Sequence, residues 1–187
     1  GTGSSGGQSH GRGSVDFSKL HPDDILQAIR SGESSNRTAA LVFFNRNGGR
    51  ANHPGLQDII LEPLAKKSKR LSSRDLCTVL SSLRHLRIQD MEVWAGVCQA
   101  LASKTKGMDA RHIANSLNSL AQHGFTDNAL ILNLLSEAAK TSSEFTSQGI
   151  ANTLNAMAKL DHYNQAVFEA LCEQTLSTAA SFNSQAI

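Results

Sequence analysis

Apolar residues recur along most of the chain at intervals of three and four, the spacing of amphipathic helices. The same pattern returns after 37 residues without gaps, so that segments 72–108, 109–145 and 146–182 align position by position. Each segment contains two apolar stripes, and each stripe follows a residue type that caps helix amino termini. The predicted caps of the first helices are Ser72, Asp109 and Thr146, and those of the second helices are Asp90, Asp127 and Asn164.

A helix pair repeated at a fixed interval predicts an all-α fold, here a right-handed α-solenoid of stacked antiparallel helix pairs with a 37-residue repeat. The predicted organisation is a flexible Gly/Ser linker at 1–14, a short leading helix at 15–34, a degenerate first repeat at 35–71, three repeats at 72–108, 109–145 and 146–182, and the start of a further repeat at 183–187. Nothing after Phe182 gives the last helix pair a polar outer face. We therefore expect the native chain to continue, or a partner to cover this end.

Composition narrows the class of protein. Hydrophobic residues make up 40% of the chain and aromatic residues 5%, which favours a helical core over a β-sandwich or barrel. The longest apolar run, Ala39 to Phe44, is far shorter than the ~20 residues of a membrane span. The cysteines Cys77, Cys98 and Cys172 form no Cys-x-x-Cys pair, and we expect them to be small core residues of a protein in a reducing compartment.

Motifs of catalysis are missing from the sequence. The seven histidines show no metal-ligand spacing, and no nucleophile or phosphate-loop motif is present. We therefore expect no enzyme activity, no cofactor or metal, no membrane insertion and no small-molecule substrate.

A set of polar positions accompanies the first helix of each repeat, at its third, seventh, tenth and fourteenth residues. This spacing places each set on one helix face, and stacking would align the faces into a continuous strip. The members are Arg74, Thr78, Ser81, His85, Arg111, Asn115, Asn118, Gln122, Gln148, Asn152, Asn155 and Lys159. Amide side chains offer the donor and acceptor that contact with a base edge requires, although they are weaker helix formers than Glu or Lys. These residues could instead bond neighbouring helices. Base contact is favoured for Asn115, Asn118, Asn152 and Asn155, and both interpretations stay open for the others.

Positive charge is concentrated ahead of the well-formed repeats. Residues 1–71 hold 10 Lys and Arg against 6 Asp and Glu, whereas residues 72–187 hold 8 against 10. The net charge of +2 is too small to identify a nucleic-acid-binding protein by itself. The cluster of Lys66, Lys67, Lys69 and Arg70 is a candidate for phosphate contacts, and the alternative is that these cations complement a helix dipole.

The repeats resemble a known family. Residues 146–171, TSQGIANTLNAMAKLDHYNQAVFEAL, and residues 109–121, DARHIANSLNSLA, are similar to the octotricopeptide and heptatricopeptide repeats of organellar RNA-binding proteins, which are related to the Fas-activated kinase and RAP-domain proteins. The resemblance covers residues 72–187 well and 35–71 poorly. It implies binding of single-stranded RNA or rRNA with other subunits of a ribonucleoprotein complex. The expected setting is mitochondrial RNA processing or translation, or the mitochondrial ribosome, with a plastid location as the alternative.

A second hypothesis needs no RNA. Solenoids of helix pairs often bind peptides or other proteins, so the chain could be a protein-binding α-solenoid scaffold subunit of a larger complex. The mild overall charge favours the scaffold, whereas the Asn-rich strip and the family resemblance favour RNA.

Overall fold

The computed structural model describes residues 61–185, with side chains described through residue 179. In this part of the chain all regular structure is helical, which confirms the all-α prediction. The seven helices described there are α1 Glu62–Lys67, α2 Ser73–His85, α3 Met91–Ala102, α4 Ala110–His123, α5 Asn128–Lys140, α6 Ser147–Lys159 and α7 Gln165–Gln185. Two 3₁₀ turns, Ser68–Arg70 and Ser142–Glu144, shortly precede α2 and α6. None of the helices between residues 61 and 185 is long and apolar enough to cross a membrane.

All six predicted caps are confirmed, because each side chain accepts a hydrogen bond from a backbone N–H in the first turn of its helix. At the first helices, the acceptor–donor distances are 3.1 Å for Ser72 and Asp75 N, 2.9 Å for Asp109 and His112 N, and 3.2 Å for Thr146 and Gly149 N. At the second helices they are 3.2 Å for Asp90 and Val93 N, 2.9 Å for Asp127 and Leu130 N, and 3.1 Å for Asn164 and Val167 N. The start of each helix is therefore fixed by a local interaction.

The first helices also end alike. Arg87, Gly124 and Asp161 follow α2, α4 and α6 at intervals of 37 residues, and their φ angles of 56°, 77° and 55° lie in the left-handed region. The next residue in each case bonds back to a carbonyl in the last turn, with N–O distances of 3.0 Å for Ile88 to Leu83, 3.2 Å for Phe125 to Leu120 and 3.0 Å for His162 to Met157. This geometry satisfies carbonyls that a helix end leaves free.

The helices form two layers. α2, α4 and α6 lie side by side in one layer, while α1, α3, α5 and α7 lie side by side in the other. Leu76, Ile113 and Ile150, which occupy the same column of the predicted apolar stripe, are all buried in the core. Cys77 and Cys98 are buried as expected, and burial raises the pKa of the Cys77 thiol to about 11. Cys172 is only partly buried.

One predicted core residue is exposed. Trp94, Ile131 and Phe168 share a column, and the first two are fully buried, but Phe168 is 41% exposed. Trp94 packs against His123 and Phe125 of the helix pair that follows, whereas Phe168 belongs to α7, the last described helix. The shared apolar column predicts that Trp94 and Phe168 are core residues. This prediction is wrong for Phe168, because no later helix pair packs on α7 within the described residues.

Several predicted boundaries fall outside the structural description. The linker at 1–14, the leading helix at 15–34 and most of the degenerate repeat at 35–71 lie outside the described residues. α7 continues to Gln185, so the backbone has no helix break at Asn183. The start of a further repeat at 183–187 stays a prediction.

An aromatic cluster joins the two layers where α3 meets the turn after α4. The ring centroids of Trp94 and His123 lie 4.1 Å apart with 25° between the planes, and those of Trp94 and Phe125 lie 6.1 Å apart. Both ring nitrogens of His123 are shielded from solvent and make no hydrogen bond. Burial therefore lowers the pKa of His123, an effect that the nearby Ile88 carbonyl only partly opposes.

The His123 environment predicts a loss of stability in acid. Below the ordinary histidine pKa of 6.5, the unfolded chain binds a proton at this side chain more readily than the folded chain does. The free energy of unfolding should therefore decrease as the pH is lowered. This contribution is complete above the unfolded pKa and is lost as pH falls through the lowered folded value. Urea denaturation between about pH 7.5 and about pH 5 measures how steeply the free energy of unfolding changes with pH. His123→Phe should flatten this dependence, and His85→Gln, which removes an exposed ring, is the control. Equal slopes for the wild type and His123→Phe would contradict the assignment.

Candidate nucleic-acid interface

A polar cleft of about 730 Å³ lies between α2 and α4, neighbours in the first layer. Arg74, Thr78 and Ser81 of α2 contribute one wall, and these are three of the positions predicted from the repeat. Arg111 and Asn115 of α4 contribute the other wall. We call this the first cleft. It brings together five of the predicted contact residues.

A second cleft, of about 410 Å³, lies between α4 and α6. Arg111 and Asn115 line it from α4, and Gln148 and Asn152 line it from α6. Glu144, from the 3₁₀ turn before α6, lines both clefts. Because the two clefts share Arg111, Asn115 and Glu144, they form neighbouring compartments of one groove across the first layer.

The caps explain why these side chains meet at one end of the layer. Arg74, Arg111 and Gln148 each stand two residues after a cap, so all three lie in the first turn of their helices. Thr78, Asn115 and Asn152 stand one turn further on, on the same helix faces. The groove therefore crosses the amino-terminal halves of α2, α4 and α6.

The groove contains both signs of charge. Asp109 caps α4 and also contacts His112, with 2.6 Å between its carboxylate oxygen and the ring Nδ1. Burial acts to raise the pKa of Asp109, but the hydrogen bonds and charge of His112 and the charge of Arg74 outweigh it, so the pKa is lowered. Asp109 and Glu144 thus place two acidic side chains beside the two arginines of the first cleft.

The carboxyl-terminal halves of α2 and α4 are joined by a side-chain hydrogen bond. Arg84 donates to Gln122 Oε1 at 2.7 Å, and Gln122 donates to Asn118 Oδ1 at 3.0 Å. Arg84 also lies 2.8 Å from the ring of His85. The Arg84 contact favours the inter-helix interpretation for Gln122. The contact of Asn118 lies within α4, and the contacts of His85 with Arg84 and Ser81 lie within α2, so these two predicted residues are engaged by their own helices.

Asn155 and Lys159 complete the predicted set. Both are exposed on α6, where no later first-layer helix covers them within the described residues. Their position is open to any partner that reaches this end of the layer.

The predicted basic cluster is divided between two elements. Lys66 and Lys67 are exposed in the last turn of α1, which packs on α3 in the second layer, and Lys66 is ion-paired with Glu62. Lys69 and Arg70 are exposed in the 3₁₀ turn that ends just before the cap of α2. Only the latter two are adjacent in the chain to the groove-lining end of the first layer.

Three groove residues with acidic or imidazole side chains were not predicted as contacts, namely Asp109, His112 and Glu144. Asp109 was assigned only as a cap, which it is. Glu144 shares a repeat column with Arg70 and Gly107, two residues before each cap, but the three residues have no common side-chain chemistry that would mark a contact. In the described part of the chain, no group of three His, Cys, Asp or Glu side chains is placed to hold a metal ion.

Comparison with protein families decides what the chain is related to. Residues 68–187 match the family model of RESC6, described as RNA-editing substrate-binding complex 6 protein. The chain belongs to this family. The matched region begins in the 3₁₀ turn before α2 and contains every residue of the groove. Comparison with curated proteins gives no match.

The RESC6 match corrects the resemblance drawn from the sequence. The matching family is not an octotricopeptide, heptatricopeptide or RAP-domain family, so that assignment is wrong. The coarser expectation, a helical subunit of an RNA-related complex, agrees with the RESC6 description.

Proposed function

We propose that this chain is a non-enzymatic subunit of an RNA-editing substrate-binding complex, and that it binds single-stranded RNA across the groove of the first layer. The family description supports the setting. The observation that carries the proposal is that seven residues predicted from the repeat line two adjoining clefts. They are Arg74, Thr78, Ser81, Arg111, Asn115, Gln148 and Asn152. Unpaired bases offer hydrogen-bonding edges that such amide and guanidinium groups match.

The architecture proposed for this subunit is a right-handed α-solenoid with a 37-residue repeat. Its support is the recurrence of caps and of left-handed helix ends at that interval, together with contacts between each helix and the helix two places along the chain. A solenoid would align the clefts of successive repeats into one extended binding surface.

Phosphate contacts are proposed at the edge of the groove. Lys69 and Arg70 precede the cap of α2, and the exposed Lys106 precedes the cap of α4, so these cations lie where the first helices begin. A backbone passing this edge would place its bases toward the clefts.

The proposed location is the mitochondrion. RNA-editing complexes of this kind are mitochondrial in kinetoplastids, and the plastid alternative has no support. A role in the ribosome or in translation came from the resemblance that the family match overturned, and we do not propose it.

A protein contact is a second candidate function, and it is favoured by a different surface. Tyr163 is 72% exposed and its ring centroid lies 6.0 Å from that of Phe168, beside a largely apolar cleft of about 230 Å³ between the end of α6 and the start of α7. Exposed apolar surface of this kind is typical of contacts with other subunits. Both functions are compatible in one complex because the surfaces are separate.

The RNA proposal predicts the effect of removing two arginines. Arg74→Gln/Arg111→Gln should weaken binding of the full chain to mixed-sequence single-stranded RNA by about 10- to 100-fold at low salt, because each guanidinium makes a charge-assisted contact. Fluorescence anisotropy at two salt concentrations measures the affinity. The wild type should also lose affinity as salt rises, since phosphate contacts release counterions.

The single variants Arg74→Gln and Arg111→Gln are measured as well, and their matched control is Arg87→Gln, which also removes one positive charge, from the exposed residue after the opposite end of α2. It should change the affinity little. If Arg87→Gln weakened RNA binding equally, the loss of affinity would be due to the lower net charge and not to contacts in the groove. Failure of the wild type to bind RNA at low salt would contradict the proposed function and favour the protein-contact role.

A further inference from the structure

The interior of the groove contains both positive and negative side chains, whereas its edge is basic. In the first cleft, Arg74 and Arg111 stand beside the carboxylates of Asp109 and Glu144. In the second cleft, Arg111 stands beside Glu144. A phosphate inside either cleft would face an anion at close range, which opposes binding. The cleft interiors therefore suit a neutral polar group that has both donors and acceptors.

Glu144 is held in place by its own turn. Its backbone N–H bonds to Thr141 O at 2.9 Å, and the following N–H, of Phe145, bonds to Ser142 O at 3.2 Å. Gln174 of α7 donates to Ser143 O at 3.0 Å, which ties the turn to the second layer. The ion pairs seen among the described residues do not include Glu144, and its side chain is exposed at the boundary of the two clefts. The backbone that carries the carboxylate is thus fixed, and the carboxylate itself is available to a ligand.

A carboxylate selects among bases by the donors on their edges. Guanine presents two adjacent donors, N1–H and the 2-amino group, which a carboxylate accepts together. Adenine and cytosine place a ring acceptor next to their amino group, and uracil places its N–H between two carbonyl oxygens, so each would set an oxygen or nitrogen acceptor against the carboxylate. Guanine also carries the O6 and N7 acceptors that arginine or asparagine donors bind. Arg111 and Asn115 supply such donors from α4, and both line the same two clefts as Glu144.

We propose that Glu144, with Arg111 and Asn115, forms a guanine-selective subsite at the boundary of the two clefts. This inference rests on the proposed RNA-binding function and adds a base preference to it. Glu144 accepts from the Watson–Crick edge of the base, and the donors of α4 contact its acceptor atoms. The RNA backbone stays at the basic edge of the groove.

The test compares three single-stranded RNAs of equal length with the full chain. One is all uridine, one has guanosine at its central positions, and one has inosine there, which keeps N1–H but lacks the 2-amino group. The wild type should bind the guanosine RNA about 10-fold more tightly than the uridine RNA, with the inosine RNA between them. Glu144→Gln should remove this preference. Glu173→Gln, which neutralises an exposed carboxylate on α7, should keep it.

The alternatives give different results. If Glu144→Gln tightens binding to all three RNAs equally, the carboxylate only repels phosphates and the guanine subsite is overturned. Equal affinity of the wild type for guanosine and uridine RNA overturns the subsite as well, while RNA binding itself stands. If the wild type binds none of the three at low salt, the proposed function fails. Circular dichroism of each variant checks that the helices are intact.

Discussion

Trp94→Ala should lower the free energy of unfolding by about 3–5 kcal/mol, the range for removing a fully buried aromatic ring. Trp94 is completely buried and is the largest of the fully buried side chains described. Its ring stacks on His123, and its indole Nε1 donates to the Ile88 carbonyl at 2.9 Å. The substitution would leave a cavity and a buried carbonyl with one bond fewer. Because Trp94 is the single tryptophan of the chain, unfolding must be followed by circular dichroism in urea rather than by fluorescence.

Two further variants separate the causes of this loss. Trp94→Phe keeps most of the ring volume but removes the N–H donor, so its loss should be about 1–3 kcal/mol, near that of a buried acceptor left unsatisfied. Phe168→Ala changes the same repeat column on α7, where the side chain is partly exposed, and its loss should be smaller than that of Trp94→Ala. If Trp94→Ala were no more harmful than Phe168→Ala, Trp94 would not join the two layers as described.

The helix starts could be predicted from the sequence because their cause is local. Asp109 and Asn164, for example, accept from backbone groups only three residues away, and that spacing is visible in the chain itself. The apolar columns could be predicted for a similar reason, since helix geometry fixes which residues share a face.

The division of the polar strip could not be predicted, because it depends on contacts between helices. Gln122 and Arg84 are 38 residues apart, and their bond closes one half of the strip while the other half stays open. Glu144 lines the groove only because the turn that carries it lies between α5 and α6 at the same end of the first layer. The exposure of Phe168 is likewise a consequence of its place in the stack.

The family resemblance failed for a related physical reason. In the segment IANTLNAMA, the residues Ile150, Ala156 and Met157 are buried where helices pack. Any family of stacked helix pairs needs small and apolar residues in such columns. These residues therefore indicate how the helices pack and do not identify the family. The match over residues 68–187 supplied the family that these columns could not.

Gly96→Ala should destabilise the protein by about 3 kcal/mol, at the upper end of the range for overpacking. A Cβ atom at Gly96 would lie 2.4 Å from the carbonyl oxygen of Ala65 and 3.0 Å from its Cα atom, so the backbone of α1 must move. The movement would separate α1 from α3 and disturb the 3₁₀ turn that carries Lys69 and Arg70. Urea denaturation measures the loss, and amide hydrogen exchange should show faster exchange in α1 than in α4.

Helix propensity gives the opposite sign for Gly96→Ala, which makes the test decisive. Alanine is a better helix former than glycine by about 1 kcal/mol, so without the close contact the substitution would stabilise α3. The control is Ala95→Gly at the neighbouring exposed position, where propensity alone predicts a loss of about 1 kcal/mol. A stabilised Gly96→Ala variant would show that α1 does not pack on α3 at this distance. A large loss confined to Gly96→Ala would establish that α1 is held to the repeats by backbone contact, and with it the position of the basic turn beside the groove.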